Sequence, residues 1–366
     1  MKIAIAGTRG IPNNYGGFEQ CAEFLSVLLL KMGHEVTVYN SHDHPYRQKT
    51  FEGVRIEHIY NPENKIGTIG NFIYDYGCMK HAVKNNVDIL LVLGYTTASV
   101  FYPLISFKKT ILVTNMDGLE WKRDKWNSAV KVLARWFEKL GAKYSPYLVA
   151  DNLMIAEYLL KTYNRPAEFI SYGCTLFNAP DDSKLKEYNL TKYGYGIVIA
   201  RMEAENNVAM VLQGFTRSTQ DCKLLVVGNL STSYGQKMKE RFGNDQRIIF
   251  TQGIYDLNML NNLRYFSRYY FHGHSVGGTN PALLEAMASQ AFVIAHGNEF
   301  NKSVLGGDAL FFTTDAEITG FLDQKQYEGA FREMAIANNL SRVNNVYNWD
   351  LVARKYEAFF KTINAG

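Results

Sequence analysis

Lys2-Ile3-Ala4-Ile5-Ala6-Gly7 is short, apolar and closed by glycine, which reads as a strand buried on both faces of a parallel sheet. A loop from Thr8 to Gly17 follows. Phe18 to Met32 then has apolar residues at helical spacing and stops at Gly33, and His34-Glu35-Val36-Thr37-Val38-Tyr39 resumes as strand. That is one βαβ unit, with the helix carrying the chain back between parallel strands. Further strands are expected at Val54 to Ile59, Ile89 to Leu93, Thr110 to Thr114 and Tyr147 to Ala150. Strands alternating with helical stretches predict a doubly wound parallel sheet.

The pattern then restarts. The polar stretch Asn178 to Tyr193 marks a boundary region, and Gly196-Ile197-Val198-Ile199-Ala200 begins a second series, continued by Lys223 to Val227, Arg247 to Phe250, Tyr269 to Phe271 and Phe292 to Ala295. A chain of 366 residues is too long for one comfortable core and suits two. The expected fold class is therefore α/β with two Rossmann-like domains facing each other across a cleft. The division predicted is 1–175, 176–345, and a C-terminal helix over 346–366 packing back on the first domain. A cleft lined by strand C-termini and helix N-termini suits a phosphate-bearing ligand.

No run of about 18 uncharged apolar residues occurs and the chain enters its first strand after a single lysine, so neither a membrane span nor a signal peptide is expected. The expected location is cytoplasmic. Cys21, Cys78, Cys174 and Cys222 are scattered without a CxxC pair, which argues against a disulfide framework or a zinc site and for reduced core residues. The formal charge of +4 is mild, and its position matters more than its size. Between Trp121 and Lys143 stand Lys122, Arg123, Lys125, Lys131, Arg135, Lys139 and Lys143 against only Asp124 and Glu138, interleaved with Trp126, Trp136 and Phe137. Aromatic and basic residues together suit an anionic bilayer surface, where each cation adds about 1 kcal/mol. The bland alternative is a solvated basic face over core aromatics. Binding to nucleic acid is not expected.

Four segments carry candidate chemistry. The loop from Gly7 through Arg9, Tyr15, Gly16 and Gly17 to Phe18 and Glu19 lies between strand and helix, where glycines admit close approach of a ligand and helix-start N–H groups favour an anion. It lacks the ending of a Walker loop and the spacing of GxGxxG. Asn115-Met116-Asp117-Gly118-Leu119-Glu120-Trp121-Lys122-Arg123 follows a strand, so Asp117 and Glu120 are candidates to orient hydroxyls or act as a base. A capping box, with Asp117 as cap and Glu120 three residues on, is the alternative. Arg201, after the Gly196 to Ala200 strand, offers a fork for phosphate, or else a surface ion pair with Glu203 or Glu205. The strongest segment is Phe271-His272-Gly273-His274-Ser275-Val276-Gly277-Gly278-Thr279-Asn280-Pro281-Ala282-Leu283-Leu284-Glu285. It reads as a strand end, a glycine turn and a helix start, with Glu285 a candidate acceptor for ribose hydroxyls.

Taken together these segments resemble glycosyltransferase family 4, a GT-B family of retaining enzymes, and more closely its bacterial rhamnosyltransferase branch. Ala6 to Pro12 with Tyr15 to Glu19, Asp117 to Arg123, and His274 to Pro281 look like that branch's hallmarks, in order along the whole chain. The resemblance implies a GT-B fold, with an acceptor-binding first domain and a nucleotide-sugar-binding second domain. It implies a hexosyltransferase moving L-rhamnose from dTDP-β-L-rhamnose, with retention, to a lipid-diphosphate-linked saccharide in cell-surface polysaccharide (capsule or O-antigen) synthesis at the inner membrane face. Donor binding would fall to Gly16, Gly17, Arg201, His274, Gly277, Gly278, Thr279, Asn280 and Glu285, acceptor binding to Tyr15, Phe18 and Glu120, and catalysis to Asp117, Arg201 and Arg9. No metal or other cofactor is implied.

Two departures stand out. The family's glutamate pair is eight positions apart, and the position before Glu285 holds Gly277; the lysine five positions after the phosphate arginine is replaced by Asn206. Arg9 is the expected substitute for that lysine. Alternative readings are a UDP- or GDP-hexose donor, a non-catalytic nucleotide-sugar-binding protein, and a sugar-nucleotide oxidoreductase, the last disfavoured by the missing dinucleotide fingerprint after Ile5.

Overall fold

The computed structural model describes residues 1–365 apart from 124, 125, 325, 326 and 328. The chain forms two compact units. One comprises Met1–Trp121, Ser128–Gly173 and Trp349–Gly366, and the other Lys122–Asn127 and Cys174–Asn348.

The first unit is built on strands β1 (Lys2–Ala6), β2 (Glu35–Ser41), β3 (Thr50–Phe51), β4 (Val54–Ile59), β5 (Ile89–Leu93), β6 (Ile111–Asn115), β7 (Tyr147–Ala150) and β8 (Glu168–Phe169). They form an eight-stranded sheet in the order β3-β4-β2-β1-β5-β6-β7-β8. All pairs are parallel except β3 with β4. Ile3 sits in register with Val36 on one side and Ile89 on the other. The continuous apolar run of β5 follows from burial on both faces, as every residue of it is buried. Helices α1 (Gly17–Lys31), α2 (Glu63–Ile66), α3 (Gly70–Lys84), α4 (Ser128–Tyr144) and α5 (Leu153–Tyr163) complete the unit. The C-terminal helix, Trp349–Ala365, belongs to it as well. Its Trp349 indole stacks on Phe24 of α1 with ring centres 5.0 Å apart. A Cβ at Gly173 would lie 2.4 Å from that indole, so the chain leaves the unit beside the ring on which it later re-enters.

The second unit carries a six-stranded, all-parallel sheet from β9 (Tyr195–Ile199), β10 (Lys223–Val227), β11 (Ile248–Thr251), β12 (Tyr269–His272), β13 (Val293–His296) and β14 (Leu310–Phe312), ordered β11-β10-β9-β12-β13-β14. Its helices are α6 (Val208–Arg217), α7 (Ser233–Phe242), α8 (Leu257–Tyr265), α9 (Pro281–Ala288), α10 (Glu299–Leu305), α11 (Asp315–Asp323) and α12 (Ala330–Asn345). Five of them, α7 to α11, start with the side-chain caps that orphan N–H groups require. Asp256 caps α8, Asn280 caps α9 ahead of Pro281, and Thr314 with Glu317 forms a capping box on α11.

The expected strands all form, with ends shifted by one or two residues. The short strands β3, β8 and β14 lay outside the sequence reading. They have two or three residues each, too few for a periodic signal.

Candidate functional site

Among the parallel strands of each sheet the chain order reverses direction once, and the loops leaving the two strands at that point diverge to leave a crevice at their carboxyl ends. In the second unit this switch lies between β9 and β12. The two loops that leave there, 200–207 and 273–280, are tied together. Asn207 Nδ2 donates to Gly273 O at 2.8 Å, and Ser275 donates through both N (3.1 Å) and Oγ (2.8 Å) to Glu205 O. A Cβ at Gly273 would sit 2.1 Å from Asn206 O, so only glycine permits the approach. Asn206 Nδ2 donates to Arg201 O at 2.8 Å. The residue standing where the resemblance leads one to expect a lysine is therefore committed to holding the loop. Arg201 itself is exposed and makes no ion pair or side-chain hydrogen bond among the described residues.

The backbone of His274 is held from the other side by Asn298 (2.9 Å) and Asn301 (3.0 Å), whose Nδ2 atoms donate to its carbonyl. Its ring stacks on His272 at 4.5 Å and 18°. His272 ends β12 in full burial, and neither of its ring nitrogens has a hydrogen-bond partner among the described residues. Burial pushes protonation of His272 far below the usual range. Burial, with Arg201 and Arg123 nearby, pushes His274 down to about 3. The stack is thus uncharged at neutral pH.

Beyond it, Gly277 has φ +128°, and a Cβ there would meet no atom within 4 Å, so backbone conformation rather than space calls for glycine. A glutamate at that position would be strained. Thr279 is buried, and the Asn280 side-chain oxygen is taken by Ala282 N at 2.9 Å as the cap of α9. Further along α9, Glu285 Oε2 accepts a 2.6 Å bond from Arg264 Nη2. Arg264 is only 1% exposed and is braced by Asn261 Oδ1 at 2.9 Å.

In the first unit the switch lies between β1 and β5. Gly7, at φ +82°, would bring a Cβ 2.2 Å from Leu93 O, and Gly10, at φ +125°, one 2.3 Å from the Asn40 side chain. Asn40 clasps Ile11 through both its N and its O. Glu19, in the first turn of α1, is buried and accepts from Arg9 N at 2.8 Å. Gly16 precedes that helix without a capping side chain, and Phe18 packs over Gly94. The Arg9 guanidinium makes a two-point contact with Glu63, at 3.2 Å through Nε and 2.6 Å through Nη2, and lies 3.6 Å over the exposed Tyr15 ring. Its charge is already compensated inside this unit.

Asp117 is half-buried; its N–H donates to Asn115 Oδ1 at 3.1 Å and its Oδ1 lies 3.5 Å from the Tyr172 hydroxyl. The capping-box alternative does not hold. A single 3-10 turn begins only at Glu120, and α4 begins at Ser128. The block is anchored instead through Trp121, whose Nε1 donates to the buried Glu138 at 3.0 Å. Tyr95, Tyr158 and Tyr163 donate to the same carboxylate at 3.3, 2.7 and 2.7 Å.

That anchoring corrects the idea of one aromatic and basic surface over 121–143. Trp121 and Phe137 point into the first unit, and Asp124 and Lys125 lie outside the described residues. The outward face of α4 is Val132 (72% exposed), Leu133 and Trp136 (50%) beside Arg135, Lys139 and Lys143. Leu104, Ile66, Ile69, Ile73 and Tyr76 are exposed on neighbouring segments of the same unit. Contacts between Phe72 and Phe137 and between Tyr76 and Phe101 join those segments.

Sequence reasoning missed Glu63, Arg264 and His272, each of which matters through a partner distant in the chain. It also grouped Arg123 with the Asp117 block, whereas the short piece Lys122–Asn127 clusters with the second unit. There Arg123 Nη1 pairs with Glu205 Oε1 at 3.2 Å.

Two doubly wound units with these glycine-lined switch loops make the GT-B architecture, and solved structures agree. The sucrose-phosphate synthase of Thermosynechococcus elongatus superposes with a TM-score of 0.82 at 13% identity, covering 100% of this chain and 99% of that one. HepE from Anabaena, solved in complex with UDP and glucose, gives 0.77 at 14% identity, covering 99% and 100%. A glycosyltransferase from Rickettsia africae gives 0.75 at 15%, covering 99% and 98%. At these identities the likeness is one of fold. A family model described as a domain of unknown function (DUF1972) matches residues 1–175. No curated protein matches the chain significantly in sequence.

Proposed function

We propose that the protein is a retaining glycosyltransferase that moves a sugar from a nucleoside-diphosphate donor. The observation that carries this reading is the switch point of the second unit. There the exposed Arg201, the open backbone at Gly277, the start of α9 and the braced Glu285 belong to one short stretch of fold. Arg201 meets the diphosphate and the neutral histidine stack keeps the floor uncharged, while Glu285, oriented by Arg264, accepts from ribose hydroxyls. The Thr279 and Asn280 segment lines the same loop. No metal is needed where arginine and helix N–H groups carry the leaving charge.

The preferred donor is dTDP-β-L-rhamnose and the preferred acceptor a lipid-diphosphate-linked saccharide, both on the resemblance of the three sequence blocks. In the transfer the bond from the anomeric carbon to the β-phosphate oxygen breaks and a bond to the acceptor oxygen forms on the same face. The acceptor proton goes to the departing phosphate, leaving dTDP and a β-linked rhamnoside. Asp117, Glu120, Tyr15 and Phe18 are assigned to the acceptor-binding unit. Peripheral docking on the inner, anionic face of a membrane is supported by the cationic and apolar outer face of α4. Among the described residues no helix is long and apolar enough to cross a membrane.

The test is mass-spectrometric detection of product from purified protein with a short lipid-diphosphate saccharide and each of dTDP-rhamnose, UDP-glucose, UDP-galactose and GDP-mannose. Growth by one deoxyhexose with dTDP-rhamnose alone supports the reading. Transfer from a hexose donor overturns the rhamnose assignment, and donor binding without transfer to any acceptor overturns catalysis.

A further inference from the structure

We propose that Asp75 is an acceptor-binding residue, its carboxylate receiving a hydrogen bond from a hydroxyl of the saccharide acceptor. The proposal rests on the transferase reading above and adds to the acceptor-binding unit a residue outside the three sequence blocks.

Helix α3 connects β4 to β5, which run the same way in the sheet, so it starts at their carboxyl edge. Asp75 lies about 7 Å along the helix from that start. Thr97, in the loop that leaves β5 at the switch point, donates through Oγ1 to Asp75 Oδ2 at 2.5 Å. The same loop meets segments assigned to the acceptor. Phe18 packs over its Gly94, and its Tyr95 hydroxyl donates to Gly118 O, beside Asp117, at 3.4 Å. One loop thus touches Phe18, the Asp117 block and Asp75.

Along the same edge a chain of hydrogen bonds runs from Arg9 to Glu63, from Glu63 N to Asn61, and from Asn61 to Asn71, one turn before Asp75 on α3. Asp75 continues that line with an acceptor to spare. Its Oδ2 has Thr97, whereas Oδ1 has no hydrogen-bond partner among the described residues, although only 6% of the residue is exposed. A buried polar atom left without a partner costs stability, and a ligand that supplies the missing bond accounts for its retention. No cation among the described residues pairs with Asp75. The titratable groups around it are Tyr74 and Cys78 on its own helix and Tyr102 on the 3-10 turn Ser99–Leu104, with Glu19 of α1 beyond Tyr74. Burial therefore raises its proton affinity, to about 7. A carboxylate with no cation beside it repels phosphate and accepts from a neutral hydroxyl, so the part of the acceptor it fits is the sugar rather than the diphosphate.

The test uses the full chain, the lipid-diphosphate saccharide and whichever of the four donors is transferred, and reads kcat/KM for the acceptor against pH. A carboxylate that must be ionised to accept makes that quantity rise with pH through about 7. Asp75→Asn keeps an oxygen for Thr97. It should lower acceptor kcat/KM above pH 7 by about tenfold to a hundredfold, the usual range for a hydrogen bond to a charged group, and flatten the rise. UDP affinity by calorimetry should stay within about twofold, because the proposed donor site is in the other unit. Thr97→Val removes the hydrogen bond that draws the Asp75 proton affinity down, so the rise should move to higher pH. Three results overturn the proposal alone: acceptor kcat/KM in Asp75→Asn within about threefold of the unaltered protein, a rise that persists in that variant, or a rise that Thr97→Val leaves in place. Loss of UDP binding in parallel with transfer assigns Asp75 to the stability of the fold and overturns it as well. If the unaltered protein transfers from no donor, the transferase reading falls and the proposal with it. Thermal melts show which variants are folded, and Thr97→Val decides alone where Asp75→Asn does not fold.

Discussion

The two switch points occupy the same place in their sheets and are equipped differently. In the first unit the arginine of the post-strand loop is closed into an ion pair with Glu63 and covered by Tyr15. In the second, Arg201 stands in solvent, and the loops around it are stiffened by bonds that leave its guanidinium out. The buried acid-base chemistry differs as well. The first unit buries Asp75 with a raised affinity for its proton, and the second buries a histidine stack that resists protonation. A shared topology therefore supplies the location of a crevice, and the charge left unspent there decides what it can hold.

The largest effect that would sharpen this comparison is at Arg201. Replacing it by alanine should lower kcat/KM for the donor about a hundredfold to a thousandfold, the range seen when one preorganised donor to a developing charge is removed. A change of less than about threefold in steady-state kinetics would break the contrast. Next comes Arg264→Met, which leaves Glu285 without its brace. Loss of one partner of a buried pair costs about 3–5 kcal/mol, and the lower end applies because Glu285 keeps an edge toward solvent. Denaturant unfolding reads the stability, and a gain in dTDP over UDP binding reads the ribose contact.

Acidification should separate the two units. His274 falls from its ordinary 6.5 to about 3 on folding, so below pH 6.5 the unfolded chain takes up a proton that the folded chain refuses. Stability is then lost as pH falls, by about 1.4 kcal/mol per pH unit for each such histidine, and His272 and His296 share the sign. Asp75 is displaced the other way, from 3.8 to about 7, with burial as the cause. Its contribution is fully present below pH 3.8 and is lost as pH rises toward 7, so acidification favours the first unit there, opposed only by His44 among the histidines with a resolved shift. Calorimetric melts at pH 7 and pH 5 should show the second unit's transition dropping more, and His272→Phe should reduce the drop. Coincident transitions at both pH values would contradict the assignment.

The smallest effect expected is at Glu63. Its pair with Arg9 is partly exposed, and such pairs contribute about 0–1 kcal/mol. Glu63→Gln should shift the melting temperature by a few degrees at most and leave UDP affinity unchanged, since the proposed donor arginine, Arg201, lies in the other unit. An altered UDP affinity would return Arg9 to the donor site.

The sequence by itself determined the strand and helix series of both units, the glycine loops at Gly7 and Gly277, and the places of Arg201 and Glu285. Those features are written in local signals: apolar runs that must be buried, glycines where φ is positive, and cap residues ahead of helices. Only the tertiary structure decided which charges remain available. Arg9 meets a glutamate 54 residues away, Arg123 one 82 residues away, and Glu285 an arginine 21 residues away. No periodicity connects such pairs, because it is the stacking of parallel strands out of chain order, β1 beside β5 and β9 beside β12, that brings their loops together.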